Sequence, residues 1–262
     1  MKIIAINGYK SFIGKYFYQQ NNKKIKIINF KKDINDIKEL KKFIRKSKIT
    51  HFIHFAGLSR HKCNKKKSEC LKTNYMSIKS IINFFNTLQK KPIFIFISSS
   101  HVYGHSKKKL DEKSKTNPLS LYAKLKLKSE NYIKKNYSKY SILRLFNVYG
   151  ENQPNNFFIS DMIKKIKNKE IIKIDNSSRD FIHVSEVSNI IYYIIINEIL
   201  TTINIGTGKG KTLKYIISKI TKKIGIKPLV NLSKKSTNIV ANISFLKSQG
   251  YKFKNNAKYL DI

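Results

Sequence analysis

A chain of 262 residues with 41% hydrophobic content has apolar material for one large domain, or one and a half, around a buried core. Its formal charge of +39, from 54 Lys and Arg against 15 Asp and Glu, is the balance of a nucleic-acid binder. The lysines, however, run through the whole length and accompany an excess of Ile, Asn, Phe and Tyr, the mixture that AT-rich codons produce. No specific nucleic-acid partner is expected, and the surviving consequence is a surface potential that draws in anionic ligands such as nucleotides.

The first element is a short apolar run, Lys2 to Ile6, that stops at Asn7-Gly8 and leads through Tyr9-Lys10-Ser11-Phe12-Ile13-Gly14 into an amphipathic segment. This predicts strand, glycine turn and helix. Gly8 permits the turn, Gly14 lets helix and strand approach, and the amides at the helix start suit a pyrophosphate, with Ser11 where a middle glycine is usual. A second strand, Ile25 to Phe30, ends at Asn29-Phe30-Lys31-Lys32-Asp33. At the ribose position of a dinucleotide fold a carboxylate would select NAD; here the strand end at Asn29 offers no acid and Lys31 and Lys32 stand just beyond it, which tilts toward NADP unless the two lysines are merely solvated. Helix Ile37 to Lys48, strand His51 to Ala56 closed by Gly57, helix Ser68 to Lys90 and strand Pro92 to Ser98 follow. Then come helix Leu119 to Lys135 and strand Tyr140 to Leu145. Repeated βα units of this kind predict a Rossmann-like, doubly wound parallel sheet.

After Asn147 the rhythm breaks. A loop opens at Pro154-Asn155-Asn156, a helix of about ten residues follows, and a short strand near Ile171 leads to Ser178-Arg179-Asp180. A βα pair returns over Phe181 to Ile199, and a last strand ends at Asn204-Ile205-Gly206. The expected organisation is a dinucleotide-binding domain over 1–150, completed by 181–206, with a small substrate-binding lid from 151–180 and 207–262. Cys63 and Cys70 match neither a zinc site nor a disulfide framework and are expected as reduced thiols. His51 and His54, three apart on a strand, face opposite ways, so no metal is expected. Met1 passes straight into a strand without a signal-peptide pattern, and the longest apolar run, Ile190 to Ile196, is too short for a bilayer. A cytoplasmic protein without a membrane partner is the expectation.

Chemistry concentrates in Asn117 to Glu130, where Tyr122 and Lys126 share one helix face. A phenol beside a fixed cation is a candidate acid/base for a hydroxyl proton. Spacing alone decides little, since Tyr75/Lys79, Tyr103/Lys107 and Tyr215/Lys219 repeat it. The setting adds weight: the buried-looking strand upstream ends in Ser99 and Ser100, and strand ends are where α/β sheets hold ligands.

Seven motifs in order resemble the extended short-chain dehydrogenase/reductase family, in its NAD(P)-dependent nucleotide-sugar epimerase/dehydratase branch: NGYKSFIG, HFAG, SSSHVYG, YAKLK, ILRLFNVYG, SRDFIHVSEV and TINIGTGKG. The resemblance spans almost the whole chain. It implies Tyr122 as catalytic acid/base, Lys126 as the group that binds the nicotinamide ribose and lowers the phenol pKa, and Ser99 as hydrogen-bond partner of the reacting sugar oxygen. For the cofactor it implies Gly8, Ser11, Phe12, Ile13 and Gly14 around the phosphates. Asn29, Lys31, Asp33 and Ile34 would flank the adenosine, and Phe55, Ala56 and Gly57 the third strand end. Asn147, Arg179 and Lys235 would hold a nucleotide-diphosphate sugar, Lys235 standing where the family usually has Arg and Asn238 where it has Asp. A homodimer is implied as well. The Asp-Glu pair that dehydratases carry after the catalytic residue is replaced by Ser100 and His101, which disfavours dehydration. What remains is a 4-epimerase acting through a 4-keto-sugar, a 4-keto-sugar reductase, or a non-catalytic NAD(P)-binding protein.

Overall fold

The computed structural model describes residues 1–155 and 157–254; Asn156 of the expected loop and residues 255–262 of the expected lid lie outside the described residues. The first part of the chain alternates β1 (Ile3–Asn7), α1 (Phe12–Asn21), β2 (Lys26–Asn29), α2 (Ile37–Ser47) and β3 (His51–His54). Short helices α3 (Arg60–Lys65) and α4 (Lys67–Leu71) run through a π turn at Lys72–Met76 into α5 (Ser77–Asn86). Next come β4 (Ile93–Ser99), a 3-10 turn at Ser100–Tyr103, α6 (Leu121–Asn136), β5 (Tyr140–Leu145) and β6 (Asn147–Tyr149). The remainder is α7 (Phe158–Lys167), β7 (Ile172–Asp175), β8 (Ser178–His183), α8 (Val184–Asn197) and β9 (Thr202–Ile205). It closes with β10 (Gly210–Thr212), α9 (Leu213–Ile224), β11 (Val230–Ser233), β12 (Asn238–Ile239) and α10 (Ser244–Ser248).

Six strands form a parallel sheet in the order β2-β1-β3-β4-β5-β9. The order reverses between β1 and β3, and that switch point opens a crevice at the carboxyl ends of the strands. Because β2 is the sheet edge, the adenosine end of such a crevice is open on one side.

Side chains of β4 show why the sheet is covered on both faces. Ile93, Ile95 and Ile97 pack among residues of α1 and α8, while Phe94 and Phe96 pack among those of α2, α5 and α6. All seven β4 residues are buried, and the first five, Ile93 to Ile97, are the continuous apolar run that a central parallel strand requires. Phe94 is fully enclosed, so Phe94→Ala would cost about 3–5 kcal/mol through lost transfer energy and a cavity.

The second unit is organised by β8, which pairs with β10, β12 and β6. Its Asp180 carboxylate is wholly buried and accepts from the Thr207 amide at 2.9 Å, the Thr207 hydroxyl at 2.6 Å, the Gly208 amide at 2.9 Å and the Ala241 amide at 3.2 Å. Four donors offset much of the cost of burying that group, and they tie the unit to the segment after β9. A separate small core from α7, α9, β7 and β8, including Met162, Ile172, Phe181 and Ile216, lies beneath.

Two expectations are corrected. Cys63 and Cys70 are joined in a disulfide with Cα atoms 5.1 Å apart, both fully buried. The break between α3 and α4 at Lys66 folds the two short helices against each other, which spacing along the sequence cannot reveal. The single helix expected over Ser68 to Lys90 is interrupted by the π turn.

Candidate active site

Ser99 ends β4 and caps the following 3-10 turn, its hydroxyl accepting from the His101 amide at 3.3 Å. Ser120 caps α6 by accepting from the Ala123 amide at 3.2 Å, which starts the helix at Leu121 and puts Tyr122 in its first turn. Lys126 follows one turn later. The phenol of Tyr122 lies beside the Ser99 side chain. Lys126 is buried, donates to the Ile97 carbonyl at 2.7 Å, and lies 4.7 Å from the Phe96 ring centroid and 5.9 Å from that of Tyr122.

Burial governs both ionisations. It pushes the Tyr122 phenol above its usual range, with Ser99 opposing, and it lowers the Lys126 ammonium to about 8 against the pull of Glu130. The lowered phenol implied by the family resemblance is therefore not a property of the unliganded chain. Behind α6, Glu130 is held by Arg144 through a 2.6 Å contact and accepts from Ser98. Arg144 also donates to the Tyr103 hydroxyl at 2.8 Å, which donates to Asn204 at 2.7 Å. This buried chain joins β4, α6, β5 and β9, and so fixes the platform on which Ser99 and Tyr122 meet.

At the other side of the crevice, Gly8 adopts φ +62°, and a Cβ there would meet the Ala56 nitrogen at 2.5 Å. Asn7 ties the same two strand ends, accepting from the Ala56 amide at 3.0 Å and contacting His54 Nδ1 at 2.8 Å. Ser11 caps α1 by accepting from the Gly14 amide at 3.2 Å, which leaves Phe12 and Ile13 in the first turn, where amides lack intrahelical partners. Lys31 and Asp33 are exposed beyond β2, and Asp33 accepts from the Asn35 amide at 2.8 Å. Ile34 and Phe55 are buried in the two main cores, so what they can offer a ligand is backbone.

Across the mouth, Arg179 on β8 donates to the Thr237 carbonyl at 2.9 Å and to its hydroxyl at 3.0 Å, while Asn147 donates to the Asp180 carbonyl at 3.0 Å. Lys235 is exposed near His105 and Asp175. His101 lies edge-on to Tyr122 with ring centroids 6.1 Å apart. Its pKa is lowered to about 4 by burial and by the charges of Arg60, Arg179 and His105, so the imidazole is neutral.

The model of the NAD dependent epimerase/dehydratase family matches residues 5–206. The chain belongs to that family. It is 30% identical over 207 residues to the dTDP-4-dehydro-6-deoxyglucose reductase of Escherichia coli, covering 74% of this chain and 65% of that protein. It is 29% identical over 168 residues to UDP-glucuronate 4-epimerase 4 of Arabidopsis thaliana, covering 59% of this chain and 38% of that protein. The chain thus spans only part of the length of these curated relatives. The UDP-glucose 4-epimerase of Thermus thermophilus, solved in complex with NAD, has the same fold at a TM-score of 0.84 and 18% identity, covering 97% of this chain and 94% of that one.

The crevice fits the dinucleotide of the family's name. The Asn29 Oδ1 acceptor at the end of β2 is buried without a hydrogen-bond partner, and a buried acceptor left unpaired costs free energy until a donor reaches it. The glycine-lined β1–α1 turn and the first-turn amides lie on the neighbouring strand. Among the described residues, no cluster of His, Cys, Asp and Glu is arranged to hold a metal, and no helix is long and apolar enough to cross a membrane.

Sequence patterns do not single out Asn7, Asn74 or Arg60 in this epimerase/dehydratase family member. Asn74 sits in the π turn, fully buried, and clamps Leu58 by accepting from its amide at 2.7 Å and donating to its carbonyl at 3.0 Å. The carbonyl of Asn74 accepts from Ser129 of α6 at 2.7 Å, so one residue links the loop after β3 to the Tyr122 helix. π turns recur at functional sites, yet KTNYM carries no local signature of one.

Proposed function

We propose that this chain is an NAD(P)-dependent nucleotide-sugar 4-epimerase working through a transient 4-keto-sugar, with Tyr122 as acid/base and Ser99 and Lys126 assisting. The observation that carries the reading is the meeting of the Ser99 and Tyr122 side chains at the end of β4, with the Lys126 ammonium fixed behind them by the Ile97 carbonyl. A sugar C4 hydroxyl seated between the two side chains gives its proton to the Tyr122 oxygen, and Ser99 orients it. Lys126 favours the phenolate form of Tyr122 that accepts the proton. When bound, the nicotinamide supplies the acceptor for the C4 hydride and its return. Arg179, Lys235 and Asn147 hold the diphosphate, and segments 151–180 and 207–262 serve as the lid over the sugar. Turnover of the keto-sugar before the proton and hydride return yields the C4 epimer.

A second reading, a 4-keto-sugar reductase, is favoured by the E. coli relative and by the two lysines beyond Asn29. The test is incubation of the purified protein with a panel of nucleotide-hexoses, scoring C4 epimers by NMR and cofactor redox state by absorbance. Epimer formation without net change in NAD(P)H supports the proposal. Stoichiometric NADPH oxidation with a 4-keto-sugar, and no epimer from any hexose, decides for the reductase.

A further inference from the structure

The Cys63–Cys70 disulfide takes no part in the chemistry at Tyr122, yet it is built into the same corner of the molecule. Cys63 belongs to α3 and Cys70 to α4, and both are fully enclosed. Leu125 of α6 is buried against the bridge, and Leu58, Tyr75, Leu121 and Tyr122 pack around it. The bridge therefore backs the start of α6, where Tyr122 sits.

A second line of contacts runs from the bridge to the end of β3. Cys63 Sγ lies 3.5 Å from the Asn74 side-chain nitrogen and 3.6 Å from the Leu58 carbonyl oxygen. Asn74 donates to that same carbonyl at 3.0 Å and accepts from the Leu58 amide at 2.7 Å. One residue earlier, a Cβ on Gly57 would meet Asn74 Oδ1 at 3.2 Å and Lys126 Nζ at 3.6 Å. The sulfur, the Asn74 amide and the Lys126 ammonium thus follow one another along the strand end.

A bridged sulfur only accepts a weak hydrogen bond, whereas a thiol also donates. At Cys63 that new donor would stand 3.6 Å from the Leu58 carbonyl and compete with Asn74 for it. Two thiols also need more room than two bonded sulfurs, and a packed interior yields room only when its walls move. Here the walls are Leu125 and two helices of six and five residues, each too short to hold its shape without the packing around it. Every residue from Asn64 to Glu69 is exposed, so a local opening of that bend bares both sulfurs while the sheet stays folded.

We propose that Cys63 and Cys70 are a redox-active pair that controls the dinucleotide site: the bridge holds the Leu58–Asn74 clamp and the start of α6 in place, and its reduction by a dithiol loosens both and weakens cofactor binding. In the exchange, one thiolate of the dithiol attacks a bridge sulfur, and the other cysteine leaves as a thiolate and takes up a proton. The second thiol of the reductant, losing its proton, then attacks the sulfur of its own molecule in the mixed disulfide, which releases the remaining cysteine and closes a cyclic disulfide. Two electrons and two protons enter the protein, and oxidised dithiol reverses the sequence.

The test is calorimetric titration of NAD and NADP into the intact chain after equilibration with reduced or oxidised dithiothreitol, with the state of the bridge counted by mass after alkylation and hydrogen exchange followed over residues 57–76. The reduced chain should bind either cofactor about three- to tenfold more weakly, as when the closed arrangement is populated about a third to a tenth of the time. Exchange over that segment should quicken, and reoxidation should reverse both changes. Cys63→Ala combined with Cys70→Ala should lose the response to dithiothreitol. Equal affinity and equal exchange in the two states of the wild-type chain would overturn the proposal, as would a bridge that native conditions never break, or a response that persists in the double variant. None of these measurements needs a sugar substrate, so the epimerase reading stands or falls separately.

Discussion

Lys126→Met should stabilise the free protein at neutral pH while destroying its activity. The ammonium is buried and held at about 8 where 10.5 is ordinary, a difference that costs the folded chain about 3 kcal/mol whenever the group is charged. The sign follows from proton counts: between pH 8 and 10.5 the unfolded chain binds the proton and the folded chain does not, so stability rises with pH through that window. Methionine fills similar space without charge. It forfeits the hydrogen bond to the Ile97 carbonyl, worth about 1 kcal/mol, and the cation contact with Phe96, worth about 1 kcal/mol. The variant should then be about 1–2 kcal/mol more stable than wild type near pH 7, and about 1 kcal/mol less stable near pH 10.5, where the wild-type amine is neutral but still donates. Urea unfolding of both proteins at the two pH values measures this, because every other titrating group cancels in the difference. A variant less stable by the same amount at both values would refute the reasoning and mean that Glu130 compensates the ammonium fully.

Tyr122→Phe removes one hydroxyl; turnover should fall by roughly 10²–10⁴-fold while urea stability shifts by no more than about 1 kcal/mol, and near-normal turnover would remove Tyr122 from the chemistry. The buried Cys63–Cys70 bridge closes a short loop, so Cys70→Ser should lower stability by roughly 2 kcal/mol; unfolding midpoints that do not change would mean the two thiols are separate in solution. Lys31 and Lys32 are exposed just past the orphaned Asn29 acceptor, and titration should show NADP(H) bound at least as well as NAD(H), with Lys31→Ala weakening NADP(H) alone; a clear preference for NAD(H) would mean these lysines face solvent. Light scattering on the purified chain checks the expected homodimer, and a monomer at micromolar concentration would count against it.

How far the sequence reaches depends on whether a feature is local. The strand expected over Pro92 to Ser98 is Ile93–Ser99, and the helix expected over Leu119 to Lys135 is Leu121–Asn136. Both carry strong signals, an unbroken β-branched and aromatic run in one case and a capping serine in the other. The closeness of Ser99, Tyr122 and Lys126 was legible for the same reason: Ser99 ends β4, and Tyr122 and Lys126 lie one turn apart near the locally written start of α6. Asn74 and the disulfide were not, because each owes its place to contacts across the fold. Asn74 matters through Leu58 and Ser129, and the cysteines through a break at Lys66. The triple pairing of β8 is non-local in the same sense, and no periodicity in SRDFIH announces three neighbours.

The two ionisations at the centre of the site pull in one direction, and that fixes an order of events. Bringing a phenol from its ordinary value near 10 to about 7 takes roughly 4 kcal/mol. One full cation about 5 Å away supplies roughly 3 kcal/mol at an effective dielectric of 20. Here burial raises the phenol further, and Lys126, half-neutral near pH 8, is less than a full cation under mildly basic conditions. Ser99 and Lys126 together therefore fall short, and Tyr122 in the free chain is a protonated phenol and a poor base. On the epimerase reading, the missing stabilisation would come from the positive charge of an oxidised nicotinamide held in the crevice. On that reading proton abstraction would be conditional on a loaded cofactor site, and a hydroxyl compound entering the crevice alone would meet a protonated phenol. Tyr122 should then titrate, by difference absorbance, at a lower pH with oxidised cofactor than without it, and Lys126→Met should shrink that gap by raising the loaded value. Equal titration in both states would place the activating charge elsewhere.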